Sequence, residues 1–447
     1  MMIVYLLIFL LAALPVALNQ PIENTPPLYG NPPDEHAHYL VPQYIYNHGK
    51  LPSGFDAEVQ IPGYGSSYAI YNVLPYIIMG LVMRFTGLFS GNEYILLCSA
   101  RFVSVLSGLI MAYFVRLIAR RAFKDDRFGW MFAAMVTFLP QNLFLHTYVN
   151  TDSMCMMSIA VILYAMLTMY QDGPGLKQSI CLSVGVIICA LSYYNAYGYI
   201  LGAVILYIAY FKKKNEKYHF REFVKNAMPV IVIVLAGISW WFIRNGILYD
   251  GDILGLKTGN RMQSDLAKSL NLETVKLVPA KCGISLKEML LGDNYITKVC
   301  KSFIAAFGSM SIYTSPYIYM FFNGFYLVGL VCMLALIPVC AGRDAEHHCI
   351  WHLVMGMCIA IPIVLLIIYA YTMDYQYQGR YILPILIPLM YYVCLGYQRL
   401  SKVAIIGAGE RKVIKFTVNL VPSVIILLLG LILVYVVYHN ALPVYLG

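Results

Sequence analysis

Charged residues are scarce in this sequence: Asp, Glu, Lys and Arg make up 12% of 447 residues, against 60% hydrophobic. A soluble domain is usually about a quarter charged. The chain therefore lacks the polar surface that its length, read as soluble domains, would need. It also lacks any polar block of soluble-domain size, any internal repeat and any Cys or His spacing typical of a zinc site. Most of the 11 cysteines fall inside apolar runs, where Cys behaves as a small hydrophobe. The net charge of +9 would suggest nucleic acid in a soluble protein. Here the basic residues are clustered between apolar runs, where they hold cytoplasmic loops in place, so no nucleic-acid partner is implied.

What the chain does have is apolar runs from end to end, many reaching the roughly 17–25 residues a helix needs to cross a bilayer. Three basic clusters orient them: Arg116, Arg120, Arg121, Lys124 and Arg127; Lys212, Lys213, Lys214, Lys217, Arg221 and Lys225; and Arg399, Lys402, Arg411, Lys412 and Lys415. All three should face the cytoplasm. Residues 2–18 read as a retained span, because no positive side chain precedes them and no clear small-x-small cleavage site follows. If 67–89 also crossed, Arg120 and Arg121 would lie outside; that segment, which contains Asn72, Pro75 and Arg84, reads instead as an interfacial helix. Alternation then predicts spans at 95–118, 129–148, 153–170, 178–194, 197–211, 226–243, 317–339, 352–371, 381–397 and 416–438. The expected fold is an all-α bundle of about eleven spans, a single transmembrane domain over 1–447. Two large outer loops, 19–94 and 244–316, complete it, with 303–313 as a short interfacial or re-entrant piece.

The outer face gathers ionisable groups that are costly near a membrane and so are functional candidates. Asp34 and Glu35 follow two prolines at the start of an expected helix, 35–47, flanked by His36 and His38. They suit either a helix start, where the dipole favours carboxylates, or a base at the membrane surface. Asn150-Thr151-Asp152-Ser153 suits either an Asx turn capping the next span or a site acid, with His146 near the same face. Trp240 and Trp241 fit an aromatic belt, and Arg244 could merely snorkel. Asp250 and Asp252 follow in a Gly-containing turn. Gln378-Gly379-Arg380-Tyr381 opens the tenth span from outside. An outer arginine runs against the positive-inside bias, and guanidinium binds phosphate bidentately, so Arg244 and Arg380 are candidates for an anionic ligand. Cys282 and Cys300 share the second outer loop, where a disulfide is permitted.

The order and spacing of Pro33-Asp34-Glu35, Pro140 with Asn150–Ser153, Trp241–Asn245 with Leu248–Gly255, and Gln378–Pro384 resemble the C-type (GT-C) superfamily of polytopic membrane glycosyltransferases. Protein O-mannosyltransferases and the lipid A aminoarabinose transferase are distant relatives in it; the chain looks closest to a bacterial branch grouped under a domain of unknown function. The resemblance spans nearly the whole chain. It implies a polyprenyl-phosphate-linked sugar donor, a cell-surface glycan or lipid acceptor, and transfer on the extracytoplasmic face of a bacterial plasma membrane. It places Asp34 where the family has its catalytic acid and Asp152 where a second acid binds metal or donor phosphate in some members. It also implies interfacial helices in the first outer loop. His36 and His38 around the acidic pair depart from the family pattern and leave a metal role open.

On this reading Asp34 takes the proton of an acceptor hydroxyl, with inversion at the anomeric carbon, and Arg244 and Arg380 stabilise the departing phosphate. Glu35, the second catalytic candidate, and Asp152 would position the acceptor or a divalent cation such as Mg²⁺ or Mn²⁺. His38, Gln378 and Tyr381 are further substrate or metal candidates. Two other classes compete. A glycan polymerase or ligase would take an oligosaccharide on a diphosphate carrier. A lipid or sugar transporter would show repeats and midplane acids, whereas the acids here lie at the outer edge.

Overall fold

The computed structural model describes residues 1–22, 31–214, 220–270, 278–292, 294–336, 349–409 and 411–446. The side chains of Lys212, Lys213 and Lys214, all of Lys217, and the end of the span expected at 317–339 lie outside the described residues. Helix α1 covers Met2–Asn19. The segment that follows folds as α2 (Glu35–His48) and α3 (Leu74–Gly87), packed against each other, with two short 3-10 turns between them. The helices expected at 35–47 and within 67–89 are thus present. Next come α4 (Glu93–Ala122), α5 (Asp126–Thr137), α6 (Pro140–Leu145), α7 (Asp152–Asp172), α8 (Leu176–Ala190), α9 (Tyr197–Lys214) and α10 (Phe220–Leu248). Surface helices α11 (Leu256–Ser269), α12 (Leu286–Gly292) and α13 (Tyr295–Ile304) precede three long ones: α14 (Pro316–Ala335), α15 (Cys349–Thr372) and α16 (Leu386–Gly407). Helix α17 (Lys412–Tyr435) runs on through a π turn to a last helix, Leu442–Leu446.

Among the described residues, eight helices are long and apolar enough to cross a membrane. Three of the expected spans differ. The one at 129–148 is broken into α5 and α6 because Pro140 has no N–H to continue a helix and holds Leu139 extended (φ −65°, ψ 121°). That at 178–194 is the shorter α8, which ends at Ala190, and that at 197–211 is α9, which runs on to Lys214 after a 3-10 turn at Tyr194–Ala196. The piece at 303–313 ends α13 and then forms a two-stranded antiparallel hairpin, Ala306 opposite Tyr313.

Helix α4 starts where Asn92 Oδ1 accepts from the amides of Tyr94 (3.0 Å) and Ile95 (3.2 Å), and ends in Arg120 and Arg121, which suit the negative end of its dipole. Its principal partner is α7, which is apolar on all sides and the most buried of the eight long helices, as a helix hydrophobic all round should be. Gly108 lets α1 approach α4, since a Cβ there would lie 2.5 Å from the Phe9 ring. Gly329 and Gly396 do the same for α14 and α16: a Cβ on Gly396 would meet the Gly329 carbonyl at 1.8 Å, the close approach that small residues give membrane helices. At one end of the bundle Arg127 donates to the Asn419 carbonyl (3.3 Å), which joins the first basic cluster to α17. Arg101 lies twenty residues before Arg121 along α4, roughly 30 Å at helical rise, so the acidic motif that contacts it sits at the opposite end.

Candidate active site

Pro32 and Pro33 bring the chain into α2, and Asp34 follows with a left-handed backbone (φ 59°, ψ 9°). A non-glycine residue there costs of order 1–3 kcal/mol unless its surroundings hold it. Two contacts do so. The Asp34 carbonyl accepts from the His38 amide (3.0 Å), and its Oδ2 accepts from Arg380 Nη2 (2.5 Å). The Asp34 side chain is 47% exposed while Arg380 is 6% exposed, so a buried cation presents a carboxylate at the surface. Burial alone would raise the Asp34 pKa, but the Arg380 charge and its hydrogen bond prevail and hold the carboxyl below its ordinary range.

Arg380 stands in a 3-10 turn, Gly379–Ile385, that precedes α16. Gly379 lies against α13: a Cβ there would sit 2.2 Å from the Phe303 nitrogen, and its amide donates to Ser302 Oγ (2.6 Å). Only glycine lets the turn dock so closely, and that docking aims Arg380 inward. The guanidinium lies over the Tyr381 ring (5.1 Å), donates to its hydroxyl (3.3 Å) and also hydrogen-bonds Tyr148. Its Nε is buried without a hydrogen-bond partner. Asp152 opens α7 in a narrow crevice shared with Tyr193 and Arg380; Tyr193 hydrogen-bonds it, and it interacts electrostatically with Arg380 and Asp34. Asn150 makes the turn before it by accepting from the Ser153 amide (2.8 Å) and donating to the carbonyls of Leu145 (2.8 Å) and Tyr148 (2.9 Å). The structure therefore brings Asp34, Asp152, Arg380 and Tyr381 together.

The remaining candidates are placed differently. Glu35 faces the interior, 1% exposed, in a fork with Arg101: Nε to Oε1 at 2.8 Å and Nη2 to Oε2 at 2.6 Å. Oε1 also accepts from the Val149 amide (2.8 Å), and Arg101 Nη1 donates to the carbonyls of Ala17 and Gln20 (both 2.9 Å). Both Glu35 oxygens are committed, so it joins α1, α2, α4 and the turn before α7 instead of meeting substrate or metal. His38 is stacked on Tyr68 at 3.9 Å with Nδ1 hydrogen-bonded to the Tyr76 hydroxyl. Burial drives its imidazole down to about 3, so it is neutral. His36 is exposed, and His146 is buried against Phe9. Gln378 donates to Gln376 (3.1 Å), which donates to Asp374 (3.1 Å), and Gln378 Oε1 is buried without a partner. Arg244 stacks on Trp241 (5.0 Å) and donates to the Pro52 carbonyl (2.6 Å); neither contact reaches the Asp34–Arg380 pair. Cys282 and Cys300 are both free thiols.

The divalent cation expected on Glu35 and Asp152 does not fit these residues. Glu35 is saturated by Arg101, and Asp152 shares its crevice with a guanidinium, which would repel a second cation. No group of three or more His, Cys, Asp or Glu able to hold a metal occurs among the described residues. Sequence reading missed Arg101, Tyr148 and Tyr193. Arg101 had a signal, an arginine within the apolar run 95–118 and fifteen positions before the basic cluster that begins at Arg116; nothing set the two tyrosines apart from the chain's 38.

Solved structures share the fold of this helical bundle, the GT-C-like fold expected from the sequence. The Archaeoglobus fulgidus oligosaccharyltransferase, crystallised with a tethered acceptor peptide, matches with a TM-score of 0.54 at 14% identity, over 99% of this chain and 55% of that one. ArnT from Cupriavidus metallidurans, bound to undecaprenyl phosphate, matches with a TM-score of 0.53 at 13% identity, over 99% of this chain and 73% of that one. The archaeal enzyme in complex with zinc and sulfate matches at 0.51 and 15% identity, over 95% of this chain and 52% of that one. The chain thus spans about half the length of the archaeal oligosaccharyltransferase. No curated protein matches the sequence. The chain belongs to the family described as "Predicted membrane protein (DUF2142)", which matches residues 12–389.

Proposed function

We propose that the protein is a membrane glycosyltransferase that moves a sugar from a polyprenyl-phosphate carrier to an extracytoplasmic glycan or lipid acceptor. The observation that carries this reading is the Asp34–Arg380 pair: an exposed carboxylate held by a buried arginine that keeps one N–H unpaired. The likeness in fold to an oligosaccharyltransferase and to ArnT bound to undecaprenyl phosphate supports it.

Arg380 engages Asp34 Oδ2, which leaves Oδ1 for an acceptor hydroxyl. As that oxygen attacks the anomeric carbon, its proton becomes acidic and passes to Asp34. The bond from the anomeric carbon to the phosphate oxygen breaks with its electron pair, and polyprenyl phosphate leaves with one more negative charge. A single displacement inverts the anomeric centre. Arg380 receives the departing phosphate through its free Nε–H and its shared Nη2. As it turns toward phosphate it weakens its hold on Asp34, whose basicity rises when the proton arrives. Asp152, with Tyr193, keeps Arg380 in place between turnovers. No step requires a metal, because Arg380 supplies the positive charge.

The test is purified protein with a panel of radiolabelled polyprenyl-phosphate sugars, following release of polyprenyl phosphate, with Asp34→Asn beside wild type. Release that disappears in a well-folded Asp34→Asn supports the reading. Full release by that variant removes Asp34 from the mechanism. Movement of the intact lipid between leaflets, without release, replaces the transferase by a transporter.

A further inference from the structure

A second cavity, of about 410 Å³, opens between the chain around Phe55 and the segment from Tyr249 to Asp265. That volume falls within the roughly 300–1,000 Å³ of small-molecule sites. The cavity contains none of the residues that surround Arg380.

The cavity is built, not incidental. Tyr249 is buried, and its hydroxyl accepts from the Gly54 amide (2.9 Å), with its ring edge-on to Phe55 at 5.7 Å. Arg244 ties the same strand of chain down through the Pro52 carbonyl (2.6 Å). The opposite wall is α11, whose start is fixed where Asp252 Oδ2 accepts from the amide (2.7 Å) and hydroxyl (2.9 Å) of Thr258. Gly259 lets α11 lie on Tyr71, whose hydroxyl would be 2.1 Å from a Cβ there. Phe55 is thereby held 56% exposed at the rim of a polar cavity. Asp250, Lys257, Arg261 and Asp265 line it alongside.

An exposed aromatic face beside carboxylates and cationic donors matches a sugar: the ring face stacks against C–H groups while the polar side chains take hydroxyls. A phosphate headgroup fits poorly, because Asp250, Asp252 and Asp265 outnumber Lys257 and Arg261 in the lining. A lipid tail fits poorly because charged groups dominate the wall. Helix α11 also reaches the loop between α2 and α3. Gln263 on α11 hydrogen-bonds Tyr64, which interacts electrostatically with Asp34.

We propose that the cavity bounded by Phe55, Tyr249, Asp250, Lys257, Arg261 and Asp265 binds a saccharide, the sugar next to the reacting end of a glycan acceptor. The word acceptor rests on the transferase reading; the saccharide chemistry rests on the cavity alone.

The test uses the full chain in nanodiscs on an array of defined neutral and acidic oligosaccharides, with sn-glycerol 1-phosphate as a soluble competitor. The expected result is binding to at least one oligosaccharide class, weakened at least tenfold in Phe55→Ala and in Asp265→Asn, and resistant to glycerol phosphate. Both side chains are largely exposed, and a size-exclusion profile is the check that each variant folds. No oligosaccharide binding by wild type, equal binding by both cavity variants, or displacement by glycerol phosphate overturns the proposal. Phe55-dependent binding in a protein that releases no polyprenyl phosphate leaves the saccharide site standing and sinks the transferase reading. Release without such binding does the reverse.

Discussion

Asp34 and Arg380 act as one unit, and their substitutions should behave accordingly. Asp34→Asn keeps the shape but removes the proposed base, and transfer should fall by about 10²–10⁴-fold. Arg380→Lys keeps the charge but loses the planar fork over Tyr381, and kcat in a donor-release assay should fall about 10²-fold or more. The pH dependence follows from the direction of each shift. Asp34 is held below its ordinary range by Arg380, so it stays ionised above that range and the acid limb of the rate profile lies below the usual carboxylate value. Arg380→Gln should move that limb to higher pH. His38 behaves in the opposite chemical sense. Its buried imidazole titrates near 3 instead of 6.5, so between those values the unfolded chain binds the extra proton. Stability contributed by neutral His38 is complete above about 6.5 and declines as pH falls toward 3. His38→Gln should flatten the melting temperature across that window; an unchanged slope would remove His38 as the cause.

At the scale of elements, the two halves of the acidic motif divide the work. Asp34 faces out and Glu35 faces in, as adjacent residues at a helix start do. The Glu35–Arg101 fork ties α2 to α4 and, through the Ala17 and Gln20 carbonyls, to the end of α1. Breaking a buried pair by removing one partner costs about 3–5 kcal/mol. Glu35→Gln or Arg101→Met should therefore lower thermal stability in detergent far more than Asp34→Asn does. The double variant should recover part of the loss. Equal, additive effects would show that the pair is not coupled. Asn150→Ala removes the side chain that shapes the turn before α7. It should cost about 0.5–2 kcal/mol and reduce transfer by misplacing Asp152.

For the whole molecule, the acidic site and the first basic cluster mark opposite ends of the bundle. Cys282 is exposed in the segment before α13, the helix on which the Arg380 turn docks. Cys349 is exposed at the start of α15, whose 24 residues run roughly 36 Å toward that turn. If the basic end faces the cytoplasm, a membrane-impermeant maleimide should label Cys282 in intact cells and Cys349 only after permeabilisation. The reverse pattern would invert the proposed topology. The arrangement of charges also predicts metal independence: EDTA should leave donor release unchanged, and a large loss restored by Mg²⁺ or Mn²⁺ would show that Arg380 does not replace a cation.

Composition and apolar runs were enough to determine a helical membrane protein, the helix at 35–47, the helix within 67–89, and the places where acids and arginines collect. Those are local properties: hydrophobic run length, the dipole at a helix start and the punctuation of proline each act over a few residues. Pro140 carried the signal for a broken helix, yet whether a proline kinks a span or ends it depends on what packs around the freed backbone groups. The site itself was decided only by tertiary structure. Asp34 and Arg380 lie 346 positions apart, and Glu35 and Arg101 lie 66 apart. Their pairing arises from the docking of α13 on Gly379 and from α3 packing against both α2 and α4, not from any local spacing. Glu35 and Arg244 looked like Asp34 and Arg380 in the sequence because residue type reports charge but not direction. Burial and the position of partners then made one acid a base candidate, one acid a structural anchor and one arginine a strut.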